Sequence, residues 1–154
     1  MALLLLSIFA ASVASALVPL INVEAILAVA ASQQPGITVA LVLAATIGQM
    51  AGKVLWYWGG MHVDRAPWVH KHLQKPKVAA SLDRWHARAE GRPAFTAGLL
   101  LLSAAVGLPP YALTAVLAGV LRVPFWIFLV TGLVGRGLRF WAVVAGTTSL
   151  LELW

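Results

Sequence analysis

The charges of this chain are concentrated in one place. Seven of its eleven Lys and Arg lie between Met61 and Pro93: Arg65, Lys71, Lys75, Lys77, Arg84, Arg88 and Arg92. Asp64, Asp83 and Glu90 lie there too, with all four His (His62, His70, His72 and His86). Apolar blocks flank this stretch, over about 2–32, 35–60, 93–120 and 124–151. Charged residues are 10% of the chain, against roughly 25% in a soluble domain. Hydrophobic types are 61%, and the mean hydropathy is +0.89. Sixteen charged side chains cannot cover a soluble globule of 154 residues, because small domains expose much of their surface. Disorder is excluded by the same composition. With no cysteine, disulfides, thiolate metal sites and Cys nucleophiles are excluded. The net charge of +6 invites a nucleic-acid reading, but the positive-inside rule accounts for it with a cytoplasmic loop between lipid-embedded blocks. No nucleic-acid partner is expected.

A spanning helix needs about 20 apolar residues. Blocks two and four qualify as single helices. Blocks one and three are long enough but broken. In block one the break is Val18-Pro19-Leu20-Ile21-Asn22; proline removes a backbone donor and clashes with the preceding turn. Asn22 is placed to cap a new helix with Glu24 at its second position. In block three the break is Gly107-Leu108-Pro109-Pro110. The pieces are too short to cross a core of about 30 Å. Irregular backbone at membrane depth survives only inside protein or against a watery cavity. The expected fold is therefore an all-α membrane protein of two inverted repeats, each a re-entrant helical hairpin followed by a transmembrane helix. Two other readings are open: kinked spanning helices, which membrane proteins tolerate, and a cleaved signal peptide ending near Ala14-Ser15-Ala16, which lacks a basic start.

Internal similarity supports the repeat. Shifted by 88, Ser15, Ala16, Val18, Leu20 and Ala30 fall on Ser103, Ala104, Val106, Leu108 and Ala118. Shifted by 83, Gly52, Lys53, Leu55, Tyr57 and Trp58 fall on Gly135, Arg136, Leu138, Phe140 and Trp141. The expectation is one membrane domain over 1–154: repeat one at about 3–60, a cytoplasmic basic loop at 61–92, and repeat two at about 93–146. With the loop inside, the hairpins dip from opposite faces and the copies are inverted, as in many transporters. Both termini then lie outside; four crossings would put both in the cytoplasm. Within the loop, Val78, Leu82, Trp85 and Ala89 recur at helical spacing. That suits an interfacial helix on anionic lipid, with a solvated loop as the alternative.

Outside the loop the ionisable residues are Glu24, Lys53, Arg122, Arg136, Arg139 and Glu152. A charge in a membrane segment faces a partner or a cavity. Arg122 can snorkel and Glu152 is terminal. Glu24 follows the first break, with Lys53 or Arg136 as its expected partner. Arg136 and Arg139 share a helix face, and guanidinium forks suit phosphate. The half-helix starts at Asn22 and Pro110 present positive dipole ends. Together these favour an anionic head group. Trp56, Trp58, Trp68, Trp126 and Trp141 read as an interfacial belt. Gly48/Gly52 and Ala115/Gly119 allow close helix approach, within a subunit or in a homo-oligomer. The His set has no metal spacing, and no glycine-rich phosphate loop or nucleophile elbow is present. No enzyme, cofactor or metal is expected.

These features resemble the DedA/VTT (SNARE-associated Golgi protein) superfamily, especially its small bacterial YqaA-type branch. The resemblance rests on the run from Ser15 through Pro19 and Asn22 to Glu24 and on Ala45-Thr46-Ile47-Gly48-Gln49-Met50-Ala51-Gly52 through Trp58-Gly59. It continues in Gly107-Leu108-Pro109-Pro110-Tyr111, Ala118-Gly119 and Gly135-Arg136. It implies two inverted re-entrant hairpins packed with membrane helices, and a multi-pass protein of the bacterial inner membrane. It further implies flippase- or scramblase-like movement of a lipid such as undecaprenyl phosphate or a phospholipid between leaflets, with protons as a further partner. Glu24 stands at the hairpin acid. Where many members carry Asp after the next helix's glycine, this chain has Gln49. Where they carry arginines around the second proline motif, the nearest here are Arg92 and Arg122. A small multidrug-export family has a similar Pro/Glu hairpin, so a proton-coupled solute exporter is the rival function. A membrane assembly protein without transport is the third.

Overall fold

The computed structural model describes the chain except Pro19, Ala66, Trp68, Val69, His70, His72, Leu73, Pro109, Leu153 and Trp154; for Asp64, Val78, Leu82 and 150–152 it describes the backbone alone. Regular structure among the described residues is helical: α1 (Ala2–Leu17), α2 (Val23–Gln33), α3 (Thr38–Met61), α4 (Pro76–Gly91), α5 (Pro93–Val106), α6 (Tyr111–Val120) and α7 (Phe125–Glu152). One-turn 3-10 segments occur at Pro35–Ile37 and Val63–Arg65.

Both expected interruptions are present. The α1 helix stops at Leu17, and α2 starts at Val23 behind an Asn22 cap whose side chain accepts from the Ala25 amide at 3.1 Å. Ser15 Oγ donates to the Ile21 carbonyl at 2.8 Å across this break. The α5 helix ends on Gly107 at φ 85°, a left-handed conformation that glycine adopts without penalty. Pro110 then caps α6. Pro19 and Pro109, the prolines behind both readings, lie outside the described residues. With 16 and 11 residues in α1 and α2, and 14 and 10 in α5 and α6, these helices are about 15–24 Å long. By contrast, 35–61 and 125–149 are long and apolar enough to cross a membrane.

Contacts divide the chain into two compact units, 1–53 with 133–154, and 54–132. In the first, Ile8 of α1 packs with Val23, Leu27, Ala30 and Ala31 of α2, with Leu41, Val42 and Ala45 of α3, and with Phe140 and Val144 of α7. Gly48 and Gly52 explain the approach of α1. A Cβ at Gly48 would strike the Phe9 carbonyl and Ser12, and one at Gly52 would strike Ala16. The GxxxG pair is therefore used inside this unit. In the second unit the same device joins α6 to the end of α3. A Cβ at Gly119 would meet the Tyr57 carbonyl, and one at Gly60 the Val116 carbonyl. Tyr57 stacks on Phe128 at 4.8 Å, and its hydroxyl donates to the Val123 carbonyl at 2.6 Å.

Exposed apolar stripes run along the long helices: Val39, Leu43, Ile47 and Leu55 on α3, and Trp126, Val130, Val134, Leu138 and Trp141 on α7. Spacing of about one turn gives each helix a continuous apolar face, suited to lipid. Residues 76–91 form a helix, so this part of the loop has the structure its spacing predicts. Trp85 and Ala89 are half-buried, Asp83, Arg84 and Arg88 exposed; the side chains of Val78 and Leu82 lie outside the description.

Gly119→Val should destabilise the fold by about 1–3 kcal/mol through overpacking against backbone. Gly59→Ala, where a Cβ meets nothing within 4 Å, should cost far less. Reversible unfolding in mixed micelles measures both.

Candidate functional site

The buried face of α3 is polar where an apolar unit should be driest. Gln49 and Lys53 are 4% and 6% exposed, one turn apart and facing the end of α1. Gln49 Nε2 donates to Ser15 Oγ at 3.1 Å. Lys53 Nζ donates to the Ala16 carbonyl at 2.9 Å. That carbonyl belongs to the last turn of α1, where the helix's own ladder of donors runs out. Lys53 therefore works as a long-range helix cap, its cation at the negative end of the α1 dipole. Ser12 is fully buried beside Gly48, and its Oγ has no hydrogen-bond partner among the described residues.

The acid of the break is paired. Arg139 Nε donates to Glu24 Oε1 at 2.5 Å, joining α7 to the first turn of α2, with the side chains 28% and 29% exposed. The partner of Glu24 thus differs from the expected Lys53 or Arg136. Lys53 is bound to the Ala16 carbonyl, and three residues along α7 separate Arg139 from Arg136. Arg136 is half-buried and lies close enough to Lys53 for their like charges to act on each other.

The first unit therefore gathers Asn22, Glu24, Gln49, Lys53, Arg136 and Arg139. Pro110 belongs to the second unit, at the start of α6. Ser15, Ser12 and Thr46 complete the polar set, and sequence reasoning did not weigh them as site residues. The available signal was small polar residues in α1 opposite the α3 glycines. Among the described residues no group of three His, Asp or Glu is placed to hold a metal; His70 and His72 lie outside them.

Long apolar helices, broken companions, lipid-suited faces and sheltered ions define a helical membrane protein. The family model for the VTT domain matches residues 18–148, from the first break to near the end of α7. The chain belongs to the DedA/VTT family. Neither a curated protein nor a solved structure matches it significantly.

Two substitutions separate the roles of these ions. Lys53→Met should cost about 1–3 kcal/mol of stability, since it leaves a helix-end carbonyl without its charged donor. A double-mutant cycle of Glu24→Gln and Arg139→Gln should give a coupling energy of about 0.5–3 kcal/mol. Unfolding in mixed micelles reads both; additive single effects would show that the pair contributes nothing.

Proposed function

We propose that this protein moves a phosphate-bearing lipid, such as undecaprenyl phosphate or a phospholipid, between leaflets. One observation carries the reading: the first unit holds the cations Lys53, Arg136 and Arg139, of which Arg139 pairs with the Glu24 carboxylate while Arg136 and Lys53 act on each other as like charges. An ion in lipid is costly unless it has a partner or a purpose. Here the surplus is positive, and Arg139 meets the first turn of α2, whose amides and dipole also favour an anion. The lipid tail stays outside, along apolar faces such as that of α7. The head exchanges for the Glu24 carboxylate on Arg139 and is drawn on by Arg136, while the charge of Lys53, held at the Ala16 carbonyl, adds to the attraction. Protons are a further partner in this reading.

The topology belongs to the same proposal. The helix pairs α1–α2 and α5–α6 enter the membrane and turn back, and α3 and α7 cross it, in inverted copies within one multi-pass domain of the bacterial inner membrane. Helix lengths support this, as does the packing of α1 on α2 and α5 on α6. Matched positions also share environments: Gly52 and Gly135 are buried, Leu55 and Leu138 exposed, Tyr57 and Phe140 buried, and Trp58 and Trp141 exposed.

In proteoliposomes with a leaflet-resolved phosphate-lipid assay, Glu24→Gln and Arg136→Ala should each abolish movement while helicity is kept. Wild-type rates in both would overturn these roles. Uptake of a small solute driven by a pH gradient, with lipid distribution unchanged, would replace this function with that of an exporter. Tags at both termini should report the outer face; cytoplasmic tags would mean four crossings.

A further inference from the structure

The second unit contains an apolar cavity of about 260 Å³ that the transport reading leaves unused. Trp85 and Ala89 of α4 form one wall, Phe95 and Leu99 of α5 another, and Leu117 and Ala118 of α6 a third. Thr96 and Thr114 also line it, yet the lining is apolar, because both hydroxyls are hydrogen-bonded within the protein, that of Thr114 also to Ser103 Oγ at 3.0 Å. Thr96 Oγ1 donates to the Arg92 carbonyl at 3.4 Å and Thr114 Oγ1 to the Tyr111 carbonyl at 3.0 Å. Water gains nothing in such a cavity, whereas a hydrocarbon chain matches it.

The neighbourhood is the opposite in character. Phe95 also borders a recess lined by Ala87, Arg88 and Arg92. The Arg88 guanidinium lies over the Trp85 ring, 5.9 Å from its centroid, a distance typical of cation–π contact. Among the described residues neither arginine forms an ion pair, although Asp83 and Glu90 lie on the same helix. A dry slot beside two arginines fits an amphiphile with a negative head and one or more hydrocarbon tails. An interfacial helix with a basic face lies at the depth where such a molecule has its phosphate.

We propose that the second unit holds a resident anionic phospholipid, one acyl chain in the cavity bounded by Trp85, Phe95, Leu117 and Ala118, and its phosphate on Arg88 and Arg92. This lipid is a fixed component rather than cargo: it fastens α4 to α5 and α6. It is independent of the Glu24–Arg139 site in the first unit.

The test uses the full chain purified in detergent, titrated with phosphatidylglycerol or phosphatidylcholine and examined by native mass spectrometry. Wild type should retain one phosphatidylglycerol with a preference of about tenfold or more over phosphatidylcholine, the scale expected when two arginines meet one anionic head. Arg88→Gln with Arg92→Gln, both at exposed positions, should remove the preference and leave the helix content unchanged. Ala118→Phe, which fills the cavity, should abolish retention of both lipids. Glu24→Gln should retain phosphatidylglycerol as wild type does. Equal retention by wild type and the Arg88/Arg92 double variant overturns the proposal. So does a dimer that Ala118→Phe disperses, since a second copy would then fill the cavity. Loss of the lipid in Glu24→Gln also overturns it, because the bound species would then be the transported one.

Discussion

A helix that stops short leaves carbonyls and amides without helical partners, and this constraint organises the molecule. At the end of α1 the answer is Lys53, which reaches from α3 to the Ala16 carbonyl. Ser15 takes the Ile21 carbonyl inside the break, and Asn22 takes an amide at the start of α2. At the end of α5 a left-handed Gly107 turns the chain, and its amide returns to the Ser103 carbonyl at 2.9 Å. Each break is thus closed by its own local chemistry. Because one cation is committed to structure, Glu24 is matched by a different one.

Close approach is what makes such closure geometrically available. Lys53 can reach Ala16 because Gly52, its neighbour, lets α1 lie directly against α3. The second unit uses glycines for a different end: Gly119 and Gly60 seat α6 on α3, and the Tyr57 hydroxyl then reaches the Val123 carbonyl just beyond α6. In both units a polar group on α3 satisfies a carbonyl near the end of a short helix, once as an ammonium and once as a phenol.

Much of this was legible in the sequence. The four apolar blocks, both breaks and the Asn22 cap follow from hydropathy and from proline, glycine and asparagine chemistry, which act over a few residues. The amphipathic loop segment was legible as a spacing, and residues 76–91 form a helix. Pairing was not legible. Arg136 and Arg139 are three apart on a helix whose rotation about its axis depends on distant packing, so sequence could not say which would meet Glu24. The structural role of Lys53 was hidden for the same reason: the Ala16 carbonyl is a backbone atom and leaves no trace in side-chain patterns. Ser12 and Ser15 were overlooked because small polar residues in an apolar helix resemble alanine in any hydropathy reading.

The ion pair also imposes an order on synthesis. Glu24 and Arg139 are 115 residues apart, so the acid leaves the ribosome well before its counter-ion exists. At about 5–20 residues per second the interval is roughly 6–23 s. The second unit is one uninterrupted stretch, 54–132, whereas the first is split between the two ends of the chain. The middle of the protein can therefore mature while the N-terminal helices wait, with an orphaned carboxyl group in the care of the insertion machinery. Helix α7, which carries Arg139, is the one that releases it.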